Sequence, residues 1–302
     1  LNTNANRNQT LEPYLQANGY DYFTEGFDYF YNAGGKAELP GWDSVIYLYT
    51  SDLYLEYAKE MAELAAAGVW SKDAINDTND ATAYFENGTS GCIGWNFSAI
   101  DAGEKLEKAG LGTFGVYDVS PDIHMARSRY NGDMIAVATN SKNPERAALV
   151  LDYMKSDVDL NRTLLGGIQG EHWDLNEEGQ RMVLDAAENY SWNSWAWALN
   201  RADEPVMAGT DERELAISDS INSRELFAEV AGFTFDSSSI ATELSVVNSI
   251  VDEYEYSFSL GIYGDNTEAK FNEFKGKLEA AGLDKVTEAM KTQYEAFAAK
   301  NS

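Results

Sequence analysis

Apolar residues recur at helical spacing most clearly in the last third of the chain. Ile240, Leu244, Val247, Val251, Tyr254 and Phe258 follow one another at intervals of three and four, and Gly261 closes the run. Thr267 opens a second helical pattern with Phe271, Phe274 and Leu278 on one face and Gly282 at its end. Asp284 stands where a cap would start a third, carrying Val286, Met290, Tyr294 and Phe297. Each stripe faces a core by default. An earlier helix is expected after Ser51, with Leu53, Tyr57, Met61 and Leu64 as its stripe and Gly68 as its stop.

Between these regions the period changes. A short helix is expected over Ala81–Glu86, then a turn at Asn87-Gly88, then a buried strand at Cys92-Ile93-Gly94-Trp95. A helix over Ile100–Ala109 precedes two further strand patterns, Phe114–Val119 and Met134–Thr139. Asn143-Pro144-Glu145 is a helix start, with proline in the first turn and an acid beside the positive end of the dipole, and that helix runs to about Lys155. Alternating strands and helices predict an α/β protein with helices packed on sheets. The first forty residues crowd Tyr20, Tyr22, Phe23, Phe27, Tyr29, Phe30 and Tyr31 together without a clean period, so irregular structure with short strands or helices is expected there.

Composition narrows the function classes. The chain has 302 residues, 44% of them hydrophobic, which is enough for one large domain or two lobes. Its 50 acidic and 22 basic residues give a formal net charge of -28, which repels phosphate backbones and disfavours nucleic acid as a partner. The acids are dispersed and read as a solvated exterior. Cys92 is the only cysteine, so an intrachain disulfide or a cysteine zinc cluster is excluded, and its default place is a small buried site. The chain starts at Leu1 without a charged-then-apolar leader, so either a leader has been removed or a longer protein continues upstream.

Catalytic apparatus is not recognisable. His124 and His172 lie far apart, and no nucleophile elbow, P-loop or dinucleotide fingerprint follows a strand. His172 reads as a hydrogen-bonded structural histidine. Asp174, Asn176, Glu178, Gly179 and Asp185 fall at calcium-loop positions, but the last should be Glu, and a polar hairpin or turn is the simpler reading. No cofactor is expected.

Four motifs in order carry a resemblance. Phe85-Glu86-Asn87-Gly88 resembles the F-x-x-G segment of extracellular solute-binding proteins of the maltose-binding-protein type. Ile135-Ala136-Val137 with Asn140-Ser141-Lys142-Asn143-Pro144-Glu145-Arg146-Ala147 is similar to that family's return strand and helix. Gly166-Gly167-Ile168-Gln169-Gly170-Glu171-His172-Trp173 resembles the G-I-E-G-x-H-(Y/W) element of the LipO-like lipoprotein branch, with Gln169 in place of the usual acid. Ala280-Ala281-Gly282-Leu283-Asp284-Lys285 resembles that branch's C-terminal domain of unknown function.

The resemblance implies a periplasmic-binding-protein-like type II fold, two lobes with interlobe crossovers, with the N-terminal part of the first lobe missing. Residues 1–113 would then form a second-lobe segment, 114–170 the return segment of the first lobe, and 171–302 a cleft-lining segment and C-terminal helices, mainly of the second lobe. It also implies a non-enzymatic, monomeric binding component of an ABC importer. Such a protein would capture an oligosaccharide or related polar solute and meet ABC permease membrane subunits. It would be extracellular, anchored as a lipoprotein in its full-length form, or periplasmic. A glycan-active enzyme and a noncatalytic surface interaction domain are the competing readings.

Sugar sites need flat apolar faces for pyranose rings, together with amides, acids and arginines for hydroxyls. Trp95, Asn96, Arg127, Arg129, Tyr130, Asp133, Trp173, Trp192, Trp195 and Trp197 supply that mixture and are the candidate ligand groups. Core packing is the default for any single tryptophan. Trp195 and Trp197 are spaced to share one face of a strand but to diverge on a helix.

Overall fold

A computed structural model describes residues 7–24, 26–33, 37–71, 74–77, 79–94, 96–119, 121, 125–126, 135–192, 197–201, 203–226 and 228–301. In chain order its elements begin with α1 (Arg7–Ala17), β1 (Tyr20–Tyr22), β2 (Tyr29–Asn32), β3 (Val45–Tyr47), α2 (Asp52–Ala66), α3 (Ala81–Glu86), α4 (Ser98–Lys108) and β4 (Met125–Ala126). They continue with α5 (Pro144–Ser156), α6 (Val158–Gly166), β5 (Trp173–Leu175), β6 (Arg181–Val183), α7 (Glu212–Ser223), β7 (Glu225–Leu226), α8 (Ala241–Ser259), α9 (Thr267–Ala280) and α10 (Leu283–Asn301). The chain forms two compact units: Leu1–Arg127 with Ala216–Ser302, and Ser128–Leu215.

The larger unit is organised around the antiparallel sheet β1-β2-β3, in the segment that shows no clean period. Successive side chains of a strand point to opposite faces, and β2 uses both. Phe30 enters one core with Leu11, Leu15, Tyr54, Tyr57, Phe258 and Phe274. Its neighbours Tyr29 and Tyr31 enter a second core with Phe23, Phe233, Met290 and Tyr294. The aromatic crowding of the first forty residues is therefore one strand filling two cores at once. A buried phenol needs a partner for its hydroxyl. Tyr57 meets Thr10 Oγ1 at 2.7 Å and donates to Ser259 Oγ at 3.1 Å, while Tyr29 meets Thr287 Oγ1 at 2.7 Å.

The helices form where the apolar stripes place them. Ser51 caps α2 by accepting from the Tyr54 N–H, and the face it buries is Tyr54, Tyr57, Ala58 and Met61. Leu53 and Leu64, expected on that stripe, flank it instead, with Leu64 exposed. Val247, Val251, Tyr254 and Phe258 are buried on α8, as are Phe271, Phe274 and Leu278 on α9 and Val286, Met290 and Tyr294 on α10. Fully burying side chains of this size contributes about 1.5–3 kcal/mol each. Asp284 sits exposed in the first turn of α10 rather than ahead of it, and Leu283 begins the helix.

The three expected strands are corrected. Residues 92–94 and 114–119, and 135–138 of the third pattern, have no ladder partner among the described residues; Trp95 and Met134 lie outside them. An alternating pattern makes a strand only where a neighbouring strand accepts its backbone groups. Residues 114–119 keep the alternation, half-buried at Phe114, Val116 and Asp118 and exposed at Gly115, Tyr117 and Val119. Side chains hold this segment. The Phe114 ring lies where a Cβ on Gly103 of α4 would stand, and Asp118 pairs with Arg224. Without a sheet to cover it, Cys92 is exposed rather than buried. The short parallel pair β4–β7 joins residues 125–126 to 225–226.

Candidate functional site

Four of the ten candidate ligand residues fall among the described residues: Asn96, Trp173, Trp192 and Trp197. Trp95, Arg127, Arg129, Tyr130, Asp133 and Trp195 lie outside them. Asn96 belongs to the larger unit, where its Oδ1 accepts from the Ser98 N–H at 3.0 Å and the Ser98 hydroxyl at 2.7 Å. It thereby starts α4, and its exposed side chain lies at the foot of that helix.

The tryptophans belong to the smaller unit. Asp157 accepts from the Leu160 N–H at 2.8 Å and so starts α6 immediately after α5. Trp192 and Trp197 pack with ring centroids 5.4 Å apart and planes at 33°. Trp197 is 40% exposed, whereas Trp192 is half-buried with its Nε1 covered. The pair thus leaves part of the Trp197 side chain exposed beside a second ring. Ala198 follows at φ 50°, the left-handed region, which no other non-glycine residue occupies among the described residues. Such a conformation persists only where its surroundings hold it.

The surroundings do hold it. Lys155 Nζ, in the last turn of α5, donates to Ala198 O at 2.9 Å. Asn161 Nδ2, on α6, donates to Leu199 O and to Met154 O, each at 3.0 Å. Arg201 Nη1 donates to Lys155 O at 2.7 Å while its guanidinium also pairs with Asp203. Two terminal carbonyls of α5, which have no intrahelical donors, are thus satisfied: Lys155 O by Arg201 of the segment that carries Trp197, and Met154 O by Asn161 of α6.

Trp173 serves a different purpose. It is 4% exposed, donates Nε1 to Gly167 O at 2.9 Å, and lies under the Arg181 guanidinium at 4.8 Å from the ring centroid. No face remains for a ligand ring, so its assignment as a ligand group is corrected to packing of the β5–β6 hairpin. Burial pushes the Arg181 pKa down. Arg181 also occupies the space beside Gly166, where an added Cβ would lie 1.3 Å from Nη2. Next to it on α6, Arg162 donates to Glu204 at 3.3 Å.

His172 Nδ1 accepts from the Ile168 N–H at 3.0 Å and its ring packs against Tyr190, a structural role. The calcium-loop pattern folds as the hairpin: Asn176 and Gln180 bond each other, and Asp174 accepts from Gln169 Nε2 at 3.0 Å, which lowers its pKa. Among the described residues no group of three His, Cys, Asp or Glu side chains is placed to hold a metal.

Sequence reasoning did not find Lys155, Asn161 and Arg201. A signal existed for one of them: Asn161 interrupts the stripe Val158, Leu165 of α6 with an amide.

The chain shares the type II periplasmic-binding-protein-like fold with solved structures of a solute-binding protein. The N-glycan transport solute binding protein (NgtS) from Streptococcus pneumoniae matches with a TM-score of 0.65 at 17% identity, covering 94% of this chain and 62% of that one. The same protein in complex with Man5GlcNAc matches with a TM-score of 0.56 at 16% identity, over 94% of this chain and 62% of that one. A carbohydrate ABC transporter substrate-binding protein of Streptococcus pneumoniae serotype 4 is 23% identical over 171 residues, 53% of this chain. The chain spans 33% of that relative's length. Residues 229–299, which contain α8, α9 and most of α10, match a domain of unknown function, DUF3502. The resemblance read from the motifs and the expected fold class both hold.

Proposed function

We propose that the protein is the solute-capturing component of an ABC importer and that its solute is an oligosaccharide. The observation that carries this reading is the Trp192–Trp197 pair, with Trp197 exposed beside a hydrogen-bonded backbone, on a fold shared with a solved solute-binding protein. Pyranose rings present C–H faces that stack on indoles, and their hydroxyls require amides, carboxylates and arginines nearby. Trp95 and Trp195 are proposed as further stacking faces, and Asn96, Arg127, Arg129, Tyr130 and Asp133 as the groups that meet hydroxyls.

The solute class proposed is the mannose-containing oligosaccharide of N-glycans, the chemistry named for the Streptococcus pneumoniae complexes. Binding is non-covalent and no residue is assigned a catalytic role. The proposed setting is extracellular or periplasmic, with a lipid anchor in the full-length form, a monomer as the working unit and ABC permease membrane subunits as partners. Among the described residues no helix is long and apolar enough to cross a membrane.

Isothermal titration calorimetry against Man1GlcNAc, Man5GlcNAc, short peptides and amino acids tests the reading. Saturable heat with an oligosaccharide, and unchanged sugar recovered by chromatography, is the expected result. Heat only with peptides or amino acids would remove the sugar, and release of shortened glycan would replace binding by catalysis.

A further inference from the structure

Asn161 is a buried polar side chain that joins three parts of the smaller unit. It is wholly inaccessible, and its two amide hydrogens go to carbonyls from different elements, Met154 O at the end of α5 and Leu199 O two residues beyond Trp197. Its own Oδ1 is buried and has no hydrogen-bond partner among the described residues. With both N–H groups used, rotating the amide would lose two bonds, so the orphaned acceptor is a fixed cost of this placement. An apolar residue of the same volume would fill the space between Val158 and Leu165 on the α6 stripe without burying that acceptor. Packing alone therefore does not account for an amide here. What the amide adds is a tether on the Leu199 carbonyl.

The tether acts where the backbone most needs it. Ala198 lies between the exposed Trp197 and the buried Leu199 and holds φ at 50°, a conformation that an alanine leaves when free to do so. Lys155 holds its carbonyl from the solvent side and Asn161 holds the next carbonyl from within. Together they fix the direction in which the Trp197 indole leaves the chain. We infer that Asn161 is the positioning residue of the aromatic platform: it does not touch the solute, but sets the Trp197 face that receives it. This inference rests on the proposed carbohydrate reading for its ligand half and on the structure alone for its positioning half.

The test uses Asn161→Leu, which keeps the branching and the number of side-chain heavy atoms, and Lys155→Met, which removes the outer tether at an exposed side chain. Amide hydrogen exchange over residues 197–201 and the affinity for Man5GlcNAc are measured in each, with circular dichroism as the check of folding. The expected result for Asn161→Leu is at least tenfold faster exchange in that segment, unchanged exchange in α8–α10, and at least tenfold weaker binding. Lys155→Met is expected to move both readouts the same way, by about half as much on a logarithmic scale. Should Asn161→Leu prevent folding, Lys155→Met carries the test alone, and unchanged exchange there overturns the inference. Unchanged exchange in a folded Asn161→Leu also overturns it, as does faster exchange with unchanged affinity. If the parent protein binds no oligosaccharide, the carbohydrate reading falls, and the exchange data still decide whether Asn161 positions Trp197.

Discussion

Gly261, at the end of α8, gives the sharpest stability prediction. Its φ is +62°, and a Cβ added there would lie 2.1 Å from Met61 O, 2.5 Å from Met61 C and 2.7 Å from Ala62 Cα. All three are backbone atoms of α2, so no side-chain rotation relieves the overlap. The left-handed conformation alone costs an L-residue about 1–2 kcal/mol. Restoring a normal contact requires α2 and the α8 terminus to separate by about 1 Å, and overpacking of that kind in a dense core costs about 1–3 kcal/mol. The total for Gly261→Ala is about 2–5 kcal/mol. Gly68 provides the control, because its φ is +76° but an added Cβ meets nothing within 4 Å. Gly68→Ala should therefore show the conformational cost alone. Urea unfolding followed by circular dichroism measures both variants. Equal losses in the two would refute the argument that α2 and α8 are locked by close backbone approach.

Three other outcomes follow from the same structure. Trp173→Ala should cost about 3–5 kcal/mol, as truncating a buried tryptophan does, whereas Trp197→Ala should cost about 1–2 kcal/mol and yet weaken Man5GlcNAc binding at least tenfold; thermal melts and calorimetry separate the two effects. Burial pushes the Tyr57 phenol up to about 12, so its contribution is intact below pH 10 and disappears as pH climbs to about 12; this displacement corresponds to about 3 kcal/mol, and Tyr57→Phe should flatten the alkaline limb of stability measured against pH. Asp118→Asn removes the Asp118 charge from its pair with the half-buried Arg224 guanidinium and should cost about 1.5–3 kcal/mol by urea unfolding, with Asp118→Asn/Arg224→Met recovering part of the loss.

The helical half of the fold was legible because an apolar stripe at spacing three and four has one reading, a helix face against a core. Val247, Val251, Tyr254 and Phe258 are all buried as that spacing implies. The strands were not, because alternation says which side chains share a face but not whether a partner strand exists. Phe114–Val119 kept its alternation and formed no ladder among the described residues, while the aperiodic segment around Tyr29–Asn32 became the central strand of a sheet. That strand is buried on both faces, which removes the polar alternation that would have announced it.

At the site, a tryptophan's identity does not disclose its exposure. Trp173 and Trp197 carry the same side chain, yet one is sealed beneath Arg181 and the other stands 40% exposed. The difference lies in their anchors. Gly167 O captures one indole N–H, whereas Lys155 and Asn161 hold the backbone beside the other. Those anchors lie about 35 to 45 residues away in sequence from the segment they hold, a distance over which local pattern carries no information.

The most direct test of the central claim is nuclear magnetic resonance of the protein with fluorine-labelled tryptophans, titrated with Man5GlcNAc. Each indole is assigned by its own Trp→Phe variant. The account predicts that the resonances of Trp192 and Trp197 move with a single saturating dependence on sugar, while those of Trp70, partly buried against the core of Tyr54 and Phe258, and of the buried Trp173 stay in place. Unmoved Trp192 and Trp197 signals at a sugar concentration that saturates binding would place the solute elsewhere and contradict it.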